Sequence, residues 1–439
     1  MIRKTSIILI AIIILTALIS CFHPGEDEPG THTPDTEQTP DVSDSPDNSP
    51  DESHDDSQPV SDPQIPDDPQ SEEFTGPELK PVPEPEVIME INENITAFEL
   101  AKDMGAGWNL GNTLDSVLNT GGIPYVTRQE TFWGNPATTR EMIKLLSDSG
   151  FRTLRIPVTW ERFIGSPPDY TVNPALINRV QEIVDWAFEF NMYVIVNTHH
   201  ESWNFPSFEN ETAAHILKSL WHQIASHFAG YCEKLIFEGM NEPRMVGTNY
   251  EWRGGTPEAR EVINEWNSIF VDTVRAAGYN NEKRFLLIPT YAASSDDIVI
   301  NDMRVPANDD RIMVSVHAYT PYDLALNTRS SRNTFDPNDP NDIRDIDGLF
   351  TRLNRVFISN GIAVVMGETG ILDKAGNTEA RVAWADYYTS VAANTGIPCI
   401  WWDNGIKEAT NNEAFGIMNR QVPEWHYPEI VTAFIKNQG

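Results

Sequence analysis

Eight short apolar segments recur through roughly the last 350 residues of this 439-residue chain, and helix-length amphipathic stretches separate them. The segments lie at residues 105–111, 151–156, 192–196, 235–237, 284–289, 312–316, 362–368 and 397–402. Short apolar runs are typical of strands buried on both faces, and their alternation with helices is typical of a parallel sheet. The pattern predicts an α/β fold, a (β/α)8 TIM barrel closed by a helix near residues 428–436.

Polar and aromatic side chains gather at the C-terminal ends of the predicted strands, whereas the opposite ends are bland. These residues are Asn109, Arg155, His199 or His200, Asn241, Glu242, His317, Tyr319, Glu368 and Trp402. In (β/α)8 barrels the active site occupies the C-terminal ends of the strands. The polarity of the segments therefore predicts an active site at that end.

Two of these residues are carboxylic acids on buried strand ends. Glu242 follows the fourth strand, which Pro243 prevents from continuing, and Glu368 ends the seventh. A retaining glycosidase needs one carboxyl to protonate the leaving oxygen and another to attack the anomeric carbon, about 5–5.5 Å apart. We therefore expect glycoside hydrolysis. The alternative is a pair of structural carboxylates in salt bridges.

Five neighbouring residues are candidates for a supporting role. Arg155 is a charge on an apolar strand, so it needs a buried partner, and the nucleophilic carboxylate is the natural one. Asn241 can donate a hydrogen bond to a sugar 2-hydroxyl. His317 and Tyr319 are spaced to contact the carboxyls, and Trp402 can stack on a sugar ring. The alternative for each is a structural role in the core.

The run His199-His200-Glu201 contains three potential metal ligands. Adjacent residues on a strand point to opposite faces, and the run lacks the His-Glu-x-x-His pattern of helical zinc sites. We therefore expect no metal, and we expect one of the two histidines to face the site. Four tryptophans are candidates either for more distant sugar subsites or for the core: Trp133, Trp160, Trp203 and Trp252.

The N-terminus has the pattern of a targeting segment. Arg3 and Lys4 precede an apolar run at residues 7–18, which is shorter than the roughly 20 residues of a membrane span. Cys21 follows a small residue at the expected cleavage point, as in bacterial lipoprotein signals. We expect residues 1–20 to be a signal peptide and Cys21 to be lipidated. The alternatives are an ordinary secretory signal and an uncleaved anchor.

Residues 21–86 are rich in Asp, Glu, Pro, Ser and Thr, with 20 acidic residues and one basic residue, Lys80. Such a composition predicts a disordered acidic linker, either a spacer from the membrane or a solubilising tail. The catalytic domain is expected at residues 87–439. The chain's formal net charge of −34 argues against nucleic acid as a partner. Phe22 is compatible with sorting to the outer membrane or cell surface, although the sequence leaves the membrane open.

Several local strings, taken in order, resemble glycoside hydrolase family 5 of clan A, in its endo-β-1,4-glucanase and xyloglucanase branch. The strings are Gly107–Asp115, Trp133–Pro136, His199–Glu201, Phe237–Arg244, Val314–Tyr319 and Trp401–Gly405. The resemblance covers nearly all of the predicted catalytic domain. A lone Asn-Glu-Pro would be a weak signal, whereas this ordered series is specific. Thr369 departs from the Phe that many relatives carry after the nucleophile.

The resemblance implies a role for each matching residue. Glu242 would be the acid/base and Glu368 the nucleophile, without a cofactor. The central sugar subsite would be completed by Arg155, His199, Asn241, His317, Tyr319 and Trp402. Family members often hold a cis peptide after the eighth-strand Trp, so a cis Trp402–Asp403 bond is expected.

The expected function is therefore retaining endo-hydrolysis of β-1,4-glucan backbones: cellulose, mixed-linkage glucan or xyloglucan, with the preference left open. A β-mannanase or xylanase of the same fold is one alternative, and a non-catalytic glycan-binding lipoprotein is another. The expected partners are the polysaccharide and, through Cys21, a bacterial membrane outside the cytoplasm. The default oligomeric state is a monomer.

Overall fold

A computed structural model describes residues 79–117, 125–374, 376–408 and 413–439. The predicted signal peptide, Cys21 and the linker up to residue 78 lie outside the described residues. No helix in the described ranges is both long enough and apolar enough to span a bilayer.

Eight parallel strands form a closed barrel in which each strand pairs with its neighbours in sequence and β1 pairs with β8. The strands are β1 (Gly107–Leu110), β2 (Thr153–Ile156), β3 (Tyr193–Asn197), β4 (Leu235–Glu238), β5 (Leu286–Pro289), β6 (Ile312–His317), β7 (Val364–Thr369) and β8 (Cys399–Asp403). The predicted barrel is confirmed, with strand limits that differ by one or two residues at most ends. A small hairpin follows, β9 (Met418–Asn419) and β10 (Glu424–Trp425).

Helices surround the barrel, and several of them begin at a residue whose side chain caps the helix. Thr139 caps the third helix, and Asn173 and Thr256 each precede a proline at the first position of a helix, where no amide hydrogen bond is lost. The helices are α1 (Ala97–Met104), α2 (Val126–Glu130), α3 (Arg140–Ser149), α4 (Pro174–Glu189), α5 (Glu211–His227), α6 (Pro257–Ala276), α7 (Asp297–Ile300), α8 (Tyr322–Ala325), α9 (Pro340–Val356), α10 (Thr378–Thr395) and α11 (Pro428–Lys436).

The barrel interior is apolar in its lower half. Side chains on a strand alternate between faces, so Val194 and Val196 pack outward against the helices whereas Ile195 packs inward. Ile236 and Met313 join Ile195 in the inner cluster, and Leu100 and Met104 of α1 pack into the same cluster. Because the period is two, the next inward positions along these strands are polar. The alternation therefore brings a set of polar side chains together at the C-terminal end.

The N-terminal segment contacts the barrel earlier than the predicted domain start at Val87. Lys80 pairs with Asp169 at 3.2 Å, its main-chain oxygen contacts His222, and Val82 packs on the core. Residues 79–86, which composition places in the linker, are thus in contact with the barrel.

Candidate active site

Arg155 on β2 is fully buried at the centre of the C-terminal end of the barrel. Its Nη1 donates to Glu368 Oε1 at 2.8 Å, and its Nε donates to Glu238 Oε2 at 2.8 Å. Further hydrogen bonds run to Asn109 Oδ1 at 2.9 Å and to Asn241 Oδ1 at 2.6 Å. Burial lowers the pKa of the guanidinium, but the two carboxylates outweigh burial and raise it. The side chain therefore stays charged and links four polar side chains at the C-terminal end of the barrel.

Glu238 is a buried carboxylate that the sequence analysis did not single out. Besides Arg155, it accepts hydrogen bonds from Asn197 Nδ2 at 3.0 Å and Ser315 Oγ at 2.6 Å. Each partner comes from a different strand, so their proximity depends on closure of the barrel. The available signal was one charged residue in an otherwise apolar strand, the same signal that identified Arg155.

Glu368 is positioned by a bulge at the end of β7. The pairing with β6 shifts so that His317 lies opposite Glu368 rather than Gly367. A Cβ at Gly367 would lie 2.9 Å from Ser315 Oγ and 3.0 Å from His317 Nε2, so the close approach requires glycine. Tyr319 donates its hydroxyl to Glu368 Oε2 at 2.9 Å. Burial and the Glu368 charge raise the pKa of Tyr319 well above its usual value, so it remains a donor.

Glu242 follows β4 and faces the same cleft. Its Oε1 lies 2.8 Å from His317 Nδ1, and that nitrogen lies 3.7 Å from Glu368 Oε2. Burial lowers the pKa of His317, but Glu368 and the bond to Glu242 raise it overall. Burial raises the pKa of Glu242, whereas the His317 hydrogen bond is the main cause that lowers it overall. The two side chains thus form a hydrogen-bonded pair that favours a proton on the His317 ring, which donates to the Glu242 carboxylate.

His199 is the histidine of the adjacent pair that packs beside the predicted sugar platform. Its ring lies parallel to the Trp402 ring, at 1° and 5.9 Å between centroids. Asn197 Oδ1 accepts from the Val158 amide, so its Nδ2 donates to His199 Nδ1 at 3.1 Å. Burial lowers the pKa of His199 well below its usual value. The neutral ring therefore carries its hydrogen on Nε2.

The expected cis bond between Trp402 and Asp403 is wrong. The cis bonds found in the described ranges precede Pro168 and Pro321. Asp403 continues β8 in register with Leu110, and its main-chain oxygen accepts from the Gly111 amide at 3.1 Å. Its carboxylate is anchored by the amides that follow β8 and by the Trp108 indole at 3.1 Å. An extended trans strand makes all of these contacts.

The four tryptophans that were candidates for distant sugar subsites or for the core differ in burial. Trp160 is fully buried and donates to the Asn197 main-chain oxygen, so it is a core residue. Trp203 is partly buried and donates to Glu201 at 2.9 Å. Trp133 and Trp252 are exposed, by 38% and 61%.

Among the described residues, two groups of side chains have metal-ligand atoms within 4.8 Å of one another: Asp115 with His199 and His200, and Glu242 with His317 and Glu368. Members of both groups already have protein partners. Asp115 accepts from the amides of residues 112 and 113, and the Glu242 group is joined by its own hydrogen bonds. Their proximity is accounted for without a cation.

A closed (β/α)8 barrel with paired carboxylates at the ends of β4 and β7 defines a glycoside hydrolase of the TIM-barrel class. The cellulase family model, glycosyl hydrolase family 5, matches residues 118–408. Endoglucanase B of Neocallimastix patriciarum is 45% identical over 353 residues, which are 79% of this chain and 73% of that protein. The cellulase/esterase CelE of Acetivibrio thermocellus is 42% identical over 81% of this chain, which spans only 42% of CelE.

Solved structures agree with these sequence matches. A broad-specificity endoglucanase from Ruminococcus champanellensis, solved with bound cellotriose, has a TM-score of 0.75 and 40% identity, covering 79% of this chain and 100% of that one. The chain therefore belongs to glycosyl hydrolase family 5 and is an enzyme of the endo-β-1,4-glucanase type. The predicted family and enzyme class are confirmed.

Proposed function

We propose that the chain cleaves internal β-1,4 bonds of glucans by double displacement, with Glu368 as nucleophile and Glu242 as acid/base. The observation that carries the proposal is the proximity of the two carboxylates, whose oxygens lie within 4.8 Å of each other. A retaining enzyme needs about 5–5.5 Å between its carboxyls, whereas an inverting enzyme needs roughly 6.5–9.5 Å to admit a water molecule. The spacing supports direct attack by Glu368.

In the first step, Glu368 attacks the anomeric carbon while Glu242 gives its proton to the departing glycosidic oxygen. Arg155 and Tyr319 hold the attacking carboxylate with bonds of 2.8 and 2.9 Å, so it needs no reorganisation. The proton on His317 Nδ1 passes across the 2.8 Å contact to Glu242, which then donates it to the leaving oxygen. The leaving sugar departs as an alcohol, and an ester joins the sugar to Glu368.

In the second step, Glu242 takes a proton from water, which attacks the anomeric carbon and releases Glu368. Before the first step, the negative charge of Glu368 favours a proton on Glu242. Formation of the ester removes this charge, so the proton on Glu242 is held less strongly. The same side chain therefore changes from acid to base. Microscopic reversibility requires this change of role, and the product keeps the β configuration.

The sugar at the cleavage point is oriented by neutral donors and an aromatic face. Asn241 Oδ1 is occupied by Arg155, so its Nδ2 hydrogens are directed to the 2-hydroxyl. His199 offers the Nε2 hydrogen, and Trp402 offers a ring that packs on Leu372 and Phe415 from behind. These contacts suit the equatorial hydroxyls and apolar face of a glucosyl residue.

The proposed substrate range includes cellulose, mixed-linkage glucan and xyloglucan. The similar endoglucanase from Ruminococcus champanellensis is described as broad in specificity, and this supports a broad range here. The mannanase and xylanase alternatives are not favoured, because the relatives reported above are endoglucanases or cellulases. Both carboxylates are present in the cleft, which argues against a non-catalytic binding protein.

The function is tested with the chain lacking its first 21 residues on carboxymethylcellulose, barley mixed-linkage glucan, tamarind xyloglucan and glucomannan. We expect viscosity to fall well before reducing ends accumulate, and the first product seen by NMR to be the β-anomer. Chain-end release, or the α-anomer appearing first, would contradict the proposal. The Glu368→Gln variant controls for contaminating activity, and the ratio of rates defines the preferred glucan.

We also propose that Cys21 carries a lipid that tethers the monomeric enzyme to the outer membrane or cell surface. The motif before Cys21 supports this, as does the acidic segment after it, which suits a hydrated spacer. When the full chain is made in bacteria, Cys21→Ser is expected to abolish labelling by radioactive palmitate and to release activity from the membrane fraction. Labelling and fractionation like those of the unmodified chain would refute the anchor.

A further inference from the structure

Arg244 contacts Glu242 through the carboxylate oxygen that His317 does not reach. Its Nη1 donates to the Glu242 main-chain oxygen at 3.0 Å and lies 3.5 Å from Oε2. His317 contacts Oε1 at 2.8 Å. The Glu242 carboxylate is therefore held by one nitrogen-bearing side chain at each oxygen.

The rest of the Arg244 side chain is fixed by the loop between β4 and α6. Its Nε donates to Glu251 Oε1 at 3.1 Å, and Glu251 Oε2 accepts from the Gly247 amide at 2.9 Å. The guanidinium lies over the Trp252 ring, 4.3 Å from its centroid. Arg244 covers one face of this indole, yet Trp252 remains 61% exposed, so the ring still presents apolar surface to solvent.

We propose that Arg244 is a positioning residue that couples Trp252, a platform for the leaving-group sugar, to the proton donor Glu242. The inference rests on the proposed function, because it takes Glu242 as the acid/base. Glu242 gives its proton to the glycosidic oxygen, which stays with the leaving sugar. His317, which contacts Glu242 Oε1, also lies 3.7 Å from Glu368 Oε2 and is therefore on the nucleophile's side of Glu242. Groups on the other side of Glu242, beyond its Oε2, lie toward the leaving-group sugars. A sugar stacked on Trp252 would hold the indole and, through it, the guanidinium in place.

Charge gives Arg244 a second effect on the donor. The titratable groups near Glu242 are His317 on β6, Tyr319 after β6, Glu368 on β7, His200 after β3, Arg244 itself, and Glu413 from the loop after β8. Burial raises the pKa of Glu242, while the His317 bond and then the charges of His317, Arg244 and His200 lower it. Removing Arg244 therefore raises the proton affinity of Glu242, and the donor stays protonated to higher pH.

The test compares Arg244→Gln, Arg244→Lys and Trp252→Ala by the pH profile of kcat/KM for cellotetraose. Arg244→Gln is expected to move the alkaline limb upward by about one pH unit. Arg244→Lys keeps the charge, so its limb should stay near that of the unmodified enzyme while the rate falls. Trp252→Ala should lower kcat/KM by about fivefold without moving the limb.

A second substrate separates positioning from general damage. With 2,4-dinitrophenyl β-cellobioside the leaving group needs no proton and carries no sugar, so kcat/KM of all three variants should stay within about twofold. Arg344→Gln on α9 is the matched control, because this arginine is exposed and its loss removes the same charge. An unchanged alkaline limb for Arg244→Gln, or losses of kcat/KM that are equal on both substrates, would overturn the inference.

The Glu242→Ala variant distinguishes failure of the inference from failure of the proposed function. If Glu242→Ala loses kcat/KM on cellotetraose but keeps kcat/KM on the dinitrophenyl substrate, where only kcat falls because the ester is hydrolysed slowly, the acid/base assignment stands and the Arg244 results decide the inference alone. If Glu242→Ala cleaves cellotetraose normally, both fall together.

Discussion

Glu368→Gln is expected to lower kcat on cello-oligosaccharides by roughly 10⁴- to 10⁶-fold, the range seen when a catalytic nucleophile is removed. The amide has the shape of the carboxylate and can still meet Arg155 and Tyr319, but it cannot form the glycosyl ester. Initial rates of the purified variant, with circular dichroism to verify folding, measure the effect. Rates within 100-fold of the unmodified enzyme would exclude Glu368 as nucleophile.

A matched control and a chemical rescue sharpen this result. Glu282→Gln changes an exposed glutamate before β5, at the opposite end of the barrel, and should leave kcat unchanged. Glu368→Gly opens space for azide, which would displace an activated leaving group directly. The product should be the α-glycosyl azide, because attack comes from the face that Glu368 occupied. A β-azide would place the nucleophile elsewhere.

Arg155→Met is expected to lower the free energy of unfolding by about 3–5 kcal/mol and to reduce kcat strongly. The substitution leaves Glu238 and Glu368 as buried carboxylates without their shared cation, and breaking a buried ion pair by removing one partner has a cost of that order. Urea denaturation followed by tryptophan fluorescence gives the stability change. A loss below about 1 kcal/mol would mean that the network relaxes around the missing charge.

Two comparisons identify the cause of the Arg155 effect. Arg155→Lys keeps the charge but cannot reproduce the forked contacts, so its free energy of unfolding should fall between those of the unmodified enzyme and Arg155→Met. Adding Glu238→Gln to Arg155→Met removes one unpaired carboxylate and should recover part of the lost stability. If the two losses simply add, Glu238 and Arg155 are not energetically coupled.

The sequence predicted the barrel because each strand carries its own signal: a short apolar run with a chemically useful residue at its end. Glu242 and Glu368 were found in the same way, since each sits at a strand tip. The partnership of Glu238, Asn197 and Ser315 was not predicted, because it exists only when three strands separated in sequence close side by side. Local periodicity holds no information about such contacts.

Three other features were not predicted correctly or at all, and each has its own cause. The cis Trp402–Asp403 bond was inferred from resemblance alone, and nothing in the residues argued against a trans strand ending in an anchored Asp403. Arg244 was recognised only as the last residue of the string Phe237–Arg244, and no role was predicted for it. Its contact with Trp252 depends on the folding of a long loop, which the sequence does not specify. The predicted domain start at Val87 was inferred from composition, and composition does not reveal that Val82 packs on the core.

The apolar lower half of the barrel, packed against α1, closes the cleft at the N-terminal end of the strands. The cleft therefore opens at their C-terminal end. In the part of the chain that the structure describes, we therefore expect water and protons to reach Glu242 and Glu368 through the C-terminal opening, which the polysaccharide covers when it binds. A bound glucan therefore blocks this opening, and the first displacement takes place in a site from which the substrate excludes bulk water. The hydrolytic water can enter only after the leaving half of the chain has gone, so departure of the first product sets the order of the two steps.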